Sequence, residues 1–252
     1  MNHVPKLSTQ EGLLTDKNIL ITGSGSGIGR AVAKAAAEQG ANLILLSKDI
    51  KKLYSLQDEI CKKGYKEPLV VELDFFKAKE KDYKTRAENL YDRYEHLDGL
   101  VHIAGILGYL SPIINTSLSQ LKTVMQVNFE SNFLLTQLAL PLVLRSENPS
   151  IIFTSSGVGR KARAFWTSYS ISKFAVEGLM QSLADEYEND MRVNSYNPGP
   201  TRTNMRAQAF PAEDPQTLRT PEVIANDYLW LLSDQCKAVS YTHLTLPTSS
   251  QV

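Results

Sequence analysis

The chain has 252 residues, a length that one α/β domain fills around a single core. Hydrophobic residues make up 42% and charged residues 21%, and 27 Lys plus Arg balance 27 Asp plus Glu, so no net field draws the chain to nucleic acid or an anionic membrane. Two cysteines, Cys61 and Cys236, lie far apart with no metal-ligand spacing, which points to a reduced, cytoplasmic setting and no metal site.

Met1 to Asp16 mix polar and apolar types around Pro5 and lack the apolar stretch of a signal peptide. Nowhere do about 18 apolar residues run together, so no membrane span is expected. Short runs rich in Leu, Ile and Val follow at Asn18–Thr22, Asn42–Leu46, Pro68–Leu73, Gly99–His102, Ser150–Thr154 and Arg192–Tyr196, each bounded by Gly, Pro or polar residues, and they predict buried strands. Between them Gly29–Gln39, Ile50–Lys63, Lys81–Tyr94, Leu118–Leu144 and Ser168–Glu188 have helical periodicity. Alternation with crossovers of this length predicts a single α/β domain over residues 1–238, a doubly wound (Rossmann-type) parallel sheet with helices on both faces. Pro198 to Thr220, with Pro198, Pro200, Pro211 and Pro215, is expected to be an irregular lid or binding loop.

The first strand runs into Thr22-Gly23-Ser24-Gly25-Ser26-Gly27-Ile28-Gly29, and an Ala-rich helix follows. Glycines between a strand and a helix let the backbone turn tightly and approach a diphosphate, which the amides of the helix N-terminus then face. Further along, Tyr169 and Lys173 stand four apart at the start of a predicted helix and share a face. A free phenol ionises near about pH 10, and a neighbouring ammonium lowers that value, which makes the phenol a usable acid or base. Ser156 lies thirteen residues earlier, after a strand, where its hydroxyl can bond a substrate carbonyl.

Together these motifs resemble the short-chain dehydrogenase/reductase family. Gly23, Gly27 and Gly29 occupy the three glycine positions of its T-G-x-x-x-G-x-G turn, and Ser156, Tyr169 and Lys173 match its Ser and Y-x-x-x-K pattern. Asn128 matches its further Asn, and Pro198-Gly199-Pro200-Thr201-Arg202-Thr203 its P-G-x-x-x-T segment. The matches run in family order from about Lys17 to Cys236; Phe153-Thr154-Ser155-Ser156 and Met205-Arg206-Ala207 point to a bacterial branch. The resemblance implies hydride transfer between a nicotinamide cofactor and a small carbonyl or alcohol. Tyr169 would be the proton-transfer residue, Lys173 would lower its pKa and hold the nicotinamide ribose, and Ser156 would orient the carbonyl. Asn128 would position a relay water. Thr203 and the backbone near Gly199 would fix the carboxamide, with Pro198 and Thr201 beside them. The turn residues Gly23, Ser24, Ser26, Gly27, Ile28 and Gly29, together with Ala104 and Gly105, would border the cofactor, and Asp74 and Phe75 would lie by its adenine. A homo-oligomer is compatible with the resemblance. A non-catalytic dinucleotide sensor or scaffold, and lyase or dehydratase chemistry on the same scaffold, are the alternatives.

At the end of the second strand Leu46-Ser47-Lys48 presents no acid at Ser47 and a cation at Lys48, which favours NADP(H), with NAD(H) as the alternative; Asp49 follows and opposes that preference. Two departures from the pattern stand out. His102-Ile103-Ala104-Gly105 replaces the usual Asn-bearing segment, so the sheet loses a brace at Ile103, and His102 is expected to be packed rather than catalytic. Residues 239–252 resemble the translation of a sequencing-library adapter rather than the family's final strand, so a non-native tail and an unpaired sheet edge are expected. Phe165, Trp166, Met205 and Phe210 suggest a partly apolar substrate pocket. Arg160, Lys161 and Arg163 read as a solvated basic run.

Overall fold

The computed structural model describes residues 12–236, 239–240 and 242–245. The stretch before Gly12 and most of the tail, with the expectations attached to them, lie outside the described residues. Strands β1 (Asn18–Thr22), β2 (Asn42–Ser47), β3 (Leu69–Glu72), β4 (Gly99–His102), β5 (Ser150–Thr154), β6 (Arg192–Asn197) and β7 (Thr242–Thr245) form one parallel sheet in the order β3-β2-β1-β4-β5-β6-β7. Helices α1 (Gly27–Glu38), α2 (Ile50–Lys62), α3 (Glu80–Tyr91), α4 (Leu118–Met125), α5 (Ser131–Val143), α6 (Thr167–Glu186), α7 (Asn204–Ala209) and α8 (Pro221–Leu232) connect the strands.

Period-two alternation sorts each strand's side chains between two cores. Ile19 and Ile21 of β1 join Leu43 and Leu45 of β2, the alanines of α1, the apolar face of α2 and the buried residues of α8. Leu20, Ile44 and Leu46 point the other way, onto Tyr83 of α3, Leu135 of α5 and Val176 and Met180 of α6. With both faces covered, the central strands are apolar throughout, which is why they were legible as continuous runs.

Four features depart from the expectations, the first being α7, a short helix inside the Pro198 to Thr220 segment expected to be irregular. Leu118–Leu144 is not one uniform helix: a π-helical turn at Gln126–Glu130 separates α4 from α5, with the Ser131 amide donating to the Gln126 carbonyl. Helix α8 was not expected; Glu222, Val223 and Asn226 leave its first half a short exposed side, but Tyr228 to Leu232 are buried in succession, so the amphipathic period is lost in its second half, although Thr220-Pro221 is a helix-start signal. The sheet edge beside β6 is paired rather than open: β7 aligns Thr242 with Asn194 and Thr245 with Asn197. The exposed amides and carbonyls of β6 accept any extended segment of adequate β-propensity, and Thr-His-Leu-Thr suffices. The Asn194 side-chain amide also donates to the Val239 carbonyl (2.9 Å), and the Val193 amide to the Ser240 hydroxyl (3.1 Å). Among the described residues no helix is long and apolar enough to cross a membrane.

The missing Asn at Ile103 is compensated from the neighbouring strand. Thr22 Oγ1 accepts the Ile103 and Ala104 amides at 3.0 and 3.1 Å, tying β1 to the chain leaving β4, while Ile103 packs on the core. His102 is buried as expected, stacked on Phe153 at 4.8 Å with Nε2 2.8 Å from the Thr136 hydroxyl. Burial alone pushes its pKa down to about 3. Between about pH 3 and pH 6.5 the unfolded chain therefore binds a proton that the native state refuses, so stability falls as pH drops. Urea unfolding at pH 7 and pH 5 should show wild type losing about 2 kcal/mol more over this interval than His102→Leu; equal losses would place the acid sensitivity elsewhere.

Candidate active site

The order of strands reverses between β1 and β4, and above their carboxyl ends opens a cavity of about 1010 Å³. Its floor is the glycine turn. Gly23 adopts φ +69°, and a Cβ there would sit 2.9 Å from Ala104 Cα, so the two chains meet backbone to backbone. At Gly29 a Cβ would collide with the Gly23 carbonyl, so only glycine closes the turn onto α1. No side chain caps the N-terminus of α1. Its first amides are left for a ligand anion, and Ser26, Gly27 and Ile28 line the cavity there. This cradle fits a dinucleotide diphosphate.

Ser47, Lys48, Asp74 and Phe75 line one end of the same cavity, Ala104 and Gly105 its middle, and Pro198, Gly199, Thr201 and Thr203 a further wall. Asp49 does not line it: the carboxylate caps α2, accepting the Lys52 amide at 3.2 Å and pairing with Lys52 Nζ at 3.5 Å. These contacts, the backbone bond foremost, hold its pKa below the usual carboxylate value. The acid expected to oppose a 2′-phosphate is thus turned away from the site. Ser24 and Gly29 stand behind the wall, Ser24 bonding the Leu46 carbonyl. Thr203 caps α7 by accepting the Arg206 amide at 3.2 Å, and its methyl faces Gly27.

Ser156, Tyr169 and Lys173 reach the cavity from the end of β5 and the start of α6. Tyr169 and Lys173 share a face of α6, with Nζ 5.6 Å from the phenol ring centroid. The ammonium is buried and donates to the Thr154 carbonyl at 2.8 Å. Burial lowers its pKa to about 8, with Glu177 one turn further on pulling it back upward. The phenol differs from expectation. Its pKa is pushed up to about 12, because loss of water outweighs the hydrogen bond from Ser156 that lowers it. Asn128 lies behind the wall. Its Oδ1 accepts the Ile106 amide (2.8 Å), while Nδ2 donates to the Ile106 carbonyl (2.9 Å) and to the Ser172 hydroxyl (3.0 Å). The side chain is thus committed to bracing the loop after β4 against α6.

Several site residues escaped the sequence reading. Glu177 is buried and gathers Ser155, Ser195 (2.9 Å) and Arg160 (2.7 Å) around its carboxylate, beneath Lys173. Its i+4 spacing from Lys173 was a readable signal. Thr123 of α4, Val127 of the π-helical turn and Leu107 of the loop before α4 line the cavity, with no motif to mark them. Trp166, Met205 and Phe210 line it as expected, but Phe165 does not; its side chain is exposed. The basic run is exposed throughout, as expected, but Arg160 also pairs with Glu177 and Arg163 also borders the cavity.

The short chain dehydrogenase family model matches residues 17–214. The chain belongs to the short-chain dehydrogenase/reductase family. As a member it is a nicotinamide-dependent oxidoreductase. It is 44% identical to the uncharacterised oxidoreductase YciK of Escherichia coli strain K12 over 94% of this chain and 92% of that one. A short chain dehydrogenase from Escherichia coli CFT073, complexed with NADPH, superposes with a TM-score of 0.91 at 44% identity, over 93% of this chain and 98% of that one. A Shigella flexneri 2a short chain dehydrogenase, complexed with NADP, gives 0.91 at 43% identity with the same coverage. The bacterial branch is therefore the one its Ser156 and Met205 segments resemble.

Gly29→Ala is expected to destabilise this dehydrogenase by about 1–3 kcal/mol, because backbone must move to admit the methyl. Gly178→Ala, in mid-helix with open space at its Cβ, should instead stabilise by about 1 kcal/mol. Thermal and urea unfolding of both variants test this, and equal effects would contradict the packing at the turn.

Proposed function

We propose that this dehydrogenase transfers hydride between NADP(H) and a carbonyl or alcohol substrate, with Tyr169 as general acid and base. The observation that carries the reading is convergence: Ser156, Tyr169 and Lys173 share one cavity with the uncapped end of α1 and the glycine turn. NADP(H) rather than NAD(H) is supported by Lys48 in the wall, by the diversion of Asp49 into the α2 cap, and by the two relatives complexed with NADPH and NADP.

The cofactor, when bound, supplies or accepts the hydride. Ser156 orients the substrate oxygen, and Tyr169 gives it a proton as negative charge develops there. A phenol with a pKa near 12 is fully protonated at neutrality, which is the form reduction needs, and an alkoxide is basic enough to take its proton. The phenolate left behind is stabilised by the Lys173 ammonium beside the ring, and Lys173 can return a proton to it. Lys173 also holds the nicotinamide ribose. Asn128 keeps the loop after β4 and α6 in register around these groups, its side chain being taken up by Ile106 and Ser172. Gly199 and Thr203 complete the wall that presents one face of the nicotinamide.

Tyr169→Phe should bind NADPH as wild type does, more tightly than NADH, and lose roughly 10²- to 10⁴-fold in turnover. Fluorescence titration and nicotinamide absorbance with a carbonyl panel measure both; turnover at the wild-type rate would sink the assignment. Because Lys173 carries its charge below about pH 8 and loses it above, kcat for reduction should decline as pH rises through that value. Initial rates at saturating substrate check it, and a profile flat to pH 10 would remove Lys173 from the proton path.

A further inference from the structure

Three arginines line the cavity: Arg202 is tied to the Pro215, Gln216 and Leu218 carbonyls, while Arg206 and Arg163 flank Phe210 in different states. Arg206 stacks on Phe210, its guanidinium carbon 3.7 Å from the ring centroid, and its charge is met by a forked pair with Glu213, both contacts at 2.5 Å. Arg163 approaches the same ring at 5.3 Å and the Trp166 ring at 5.8 Å. Among the described residues no carboxylate reaches its guanidinium. Two aromatic faces attract a guanidinium and restrict its plane while leaving the N–H edges open to an incoming acceptor.

The backbone here is set rather than loose. Phe165 holds φ +72°, a conformation costly for a bulky residue. It is fixed by the Ser111 amide, which donates to the Phe165 carbonyl at 3.0 Å, and by the Trp166 amide, which donates to the Arg163 carbonyl at 3.2 Å. That turn brings Arg163 and Trp166 together. Trp166 in turn stands edge-on to Tyr169, with ring centroids 5.9 Å apart. An apolar surface therefore leads from the phenol across the indole to an exposed cation that no carboxylate among the described residues pairs with.

Resting on the carbonyl-reductase reading of this site, we propose that the substrate is an oxo acid, or the matching hydroxy acid. Its reacting carbon meets Tyr169, an apolar segment crosses Trp166, and a remote carboxylate binds Arg163 by charge-assisted hydrogen bonds. Arg206, already matched by Glu213, holds Phe210 in place.

The test uses the NADPH-loaded enzyme and a series of straight-chain oxo acids of increasing length, each beside its methyl ester. For at least one length the acid should exceed its ester by about tenfold or more in kcat/KM, mostly through KM, since this contact is made in ground and transition states alike. Arg163→Gln should bring that ratio to about one, while Lys161→Gln, removing a neighbouring exposed charge, should leave the ratio at its wild-type value. Parity of acid and ester at every length would overturn the proposal while leaving the reductase reading intact. Loss of the ratio in Lys161→Gln would overturn it in favour of a general surface field. A drop in NADPH affinity in Arg163→Gln matching the loss of the ratio would assign the guanidinium to the cofactor. If no carbonyl of either series oxidises NADPH, the reading beneath the proposal fails and the proposal with it.

Discussion

An ammonium held out of water governs how this site is built. Lys173 is buried on α6, and an isolated charge there would be costly unless the fold supplied partners. It supplies the Thr154 carbonyl at the end of β5 and, one helical turn away, the Glu177 carboxylate. Glu177 is in turn satisfied by Ser155, Ser195 and Arg160, so the ends of β5 and β6, the following loop and α6 are tied by one polar network. Partly satisfied, such a network would destabilise the domain; satisfied, it fixes a single geometry. The positions of Tyr169 and Ser156 follow from it.

Burial acts on the two titrating groups in opposite senses. It draws Lys173 down towards neutrality and raises Tyr169. The elementary expectation that an ammonium lowers a nearby phenol is sound physics, but here desolvation is the larger effect on Tyr169. The result suits a phenol that donates rather than one that waits ionised.

Much of the fold was legible because buried parallel strands are short, apolar and sharply bounded. Asn18–Thr22, Gly99–His102 and Ser150–Thr154 have the bounds their composition implies. The glycine turn and the Tyr169–Lys173 pair were readable because chemistry demands those residue types at fixed spacing. What could not be read depends on contacts made across the chain. Thr22 braces Ile103 from eighty-one residues away, Asp49 is neutralised as a discriminator only by its role in the α2 cap, and Arg163 meets the Trp166 ring through a turn that holds Phe165 at positive φ. The second half of helix α8 has no polar side because its surroundings bury Tyr228 to Leu232 in succession.

The π-helical turn at Gln126–Glu130 acts as a phase shifter. One residue beyond the normal helical count rotates everything downstream by about 100°. Upstream, Thr123 is directed to the cavity; downstream, Leu135, Ala139 and Leu142 are directed to the sheet. Counted at about 100° per residue, the extra residue brings Leu135, Ala139 and Leu142 within about 60° of Thr123, where a regular helix would leave them about 100–160° away, so one side of the element is cavity wall at one end and sheet-facing core at the other. Asn128, seated within the irregularity, marks where one duty passes to the other.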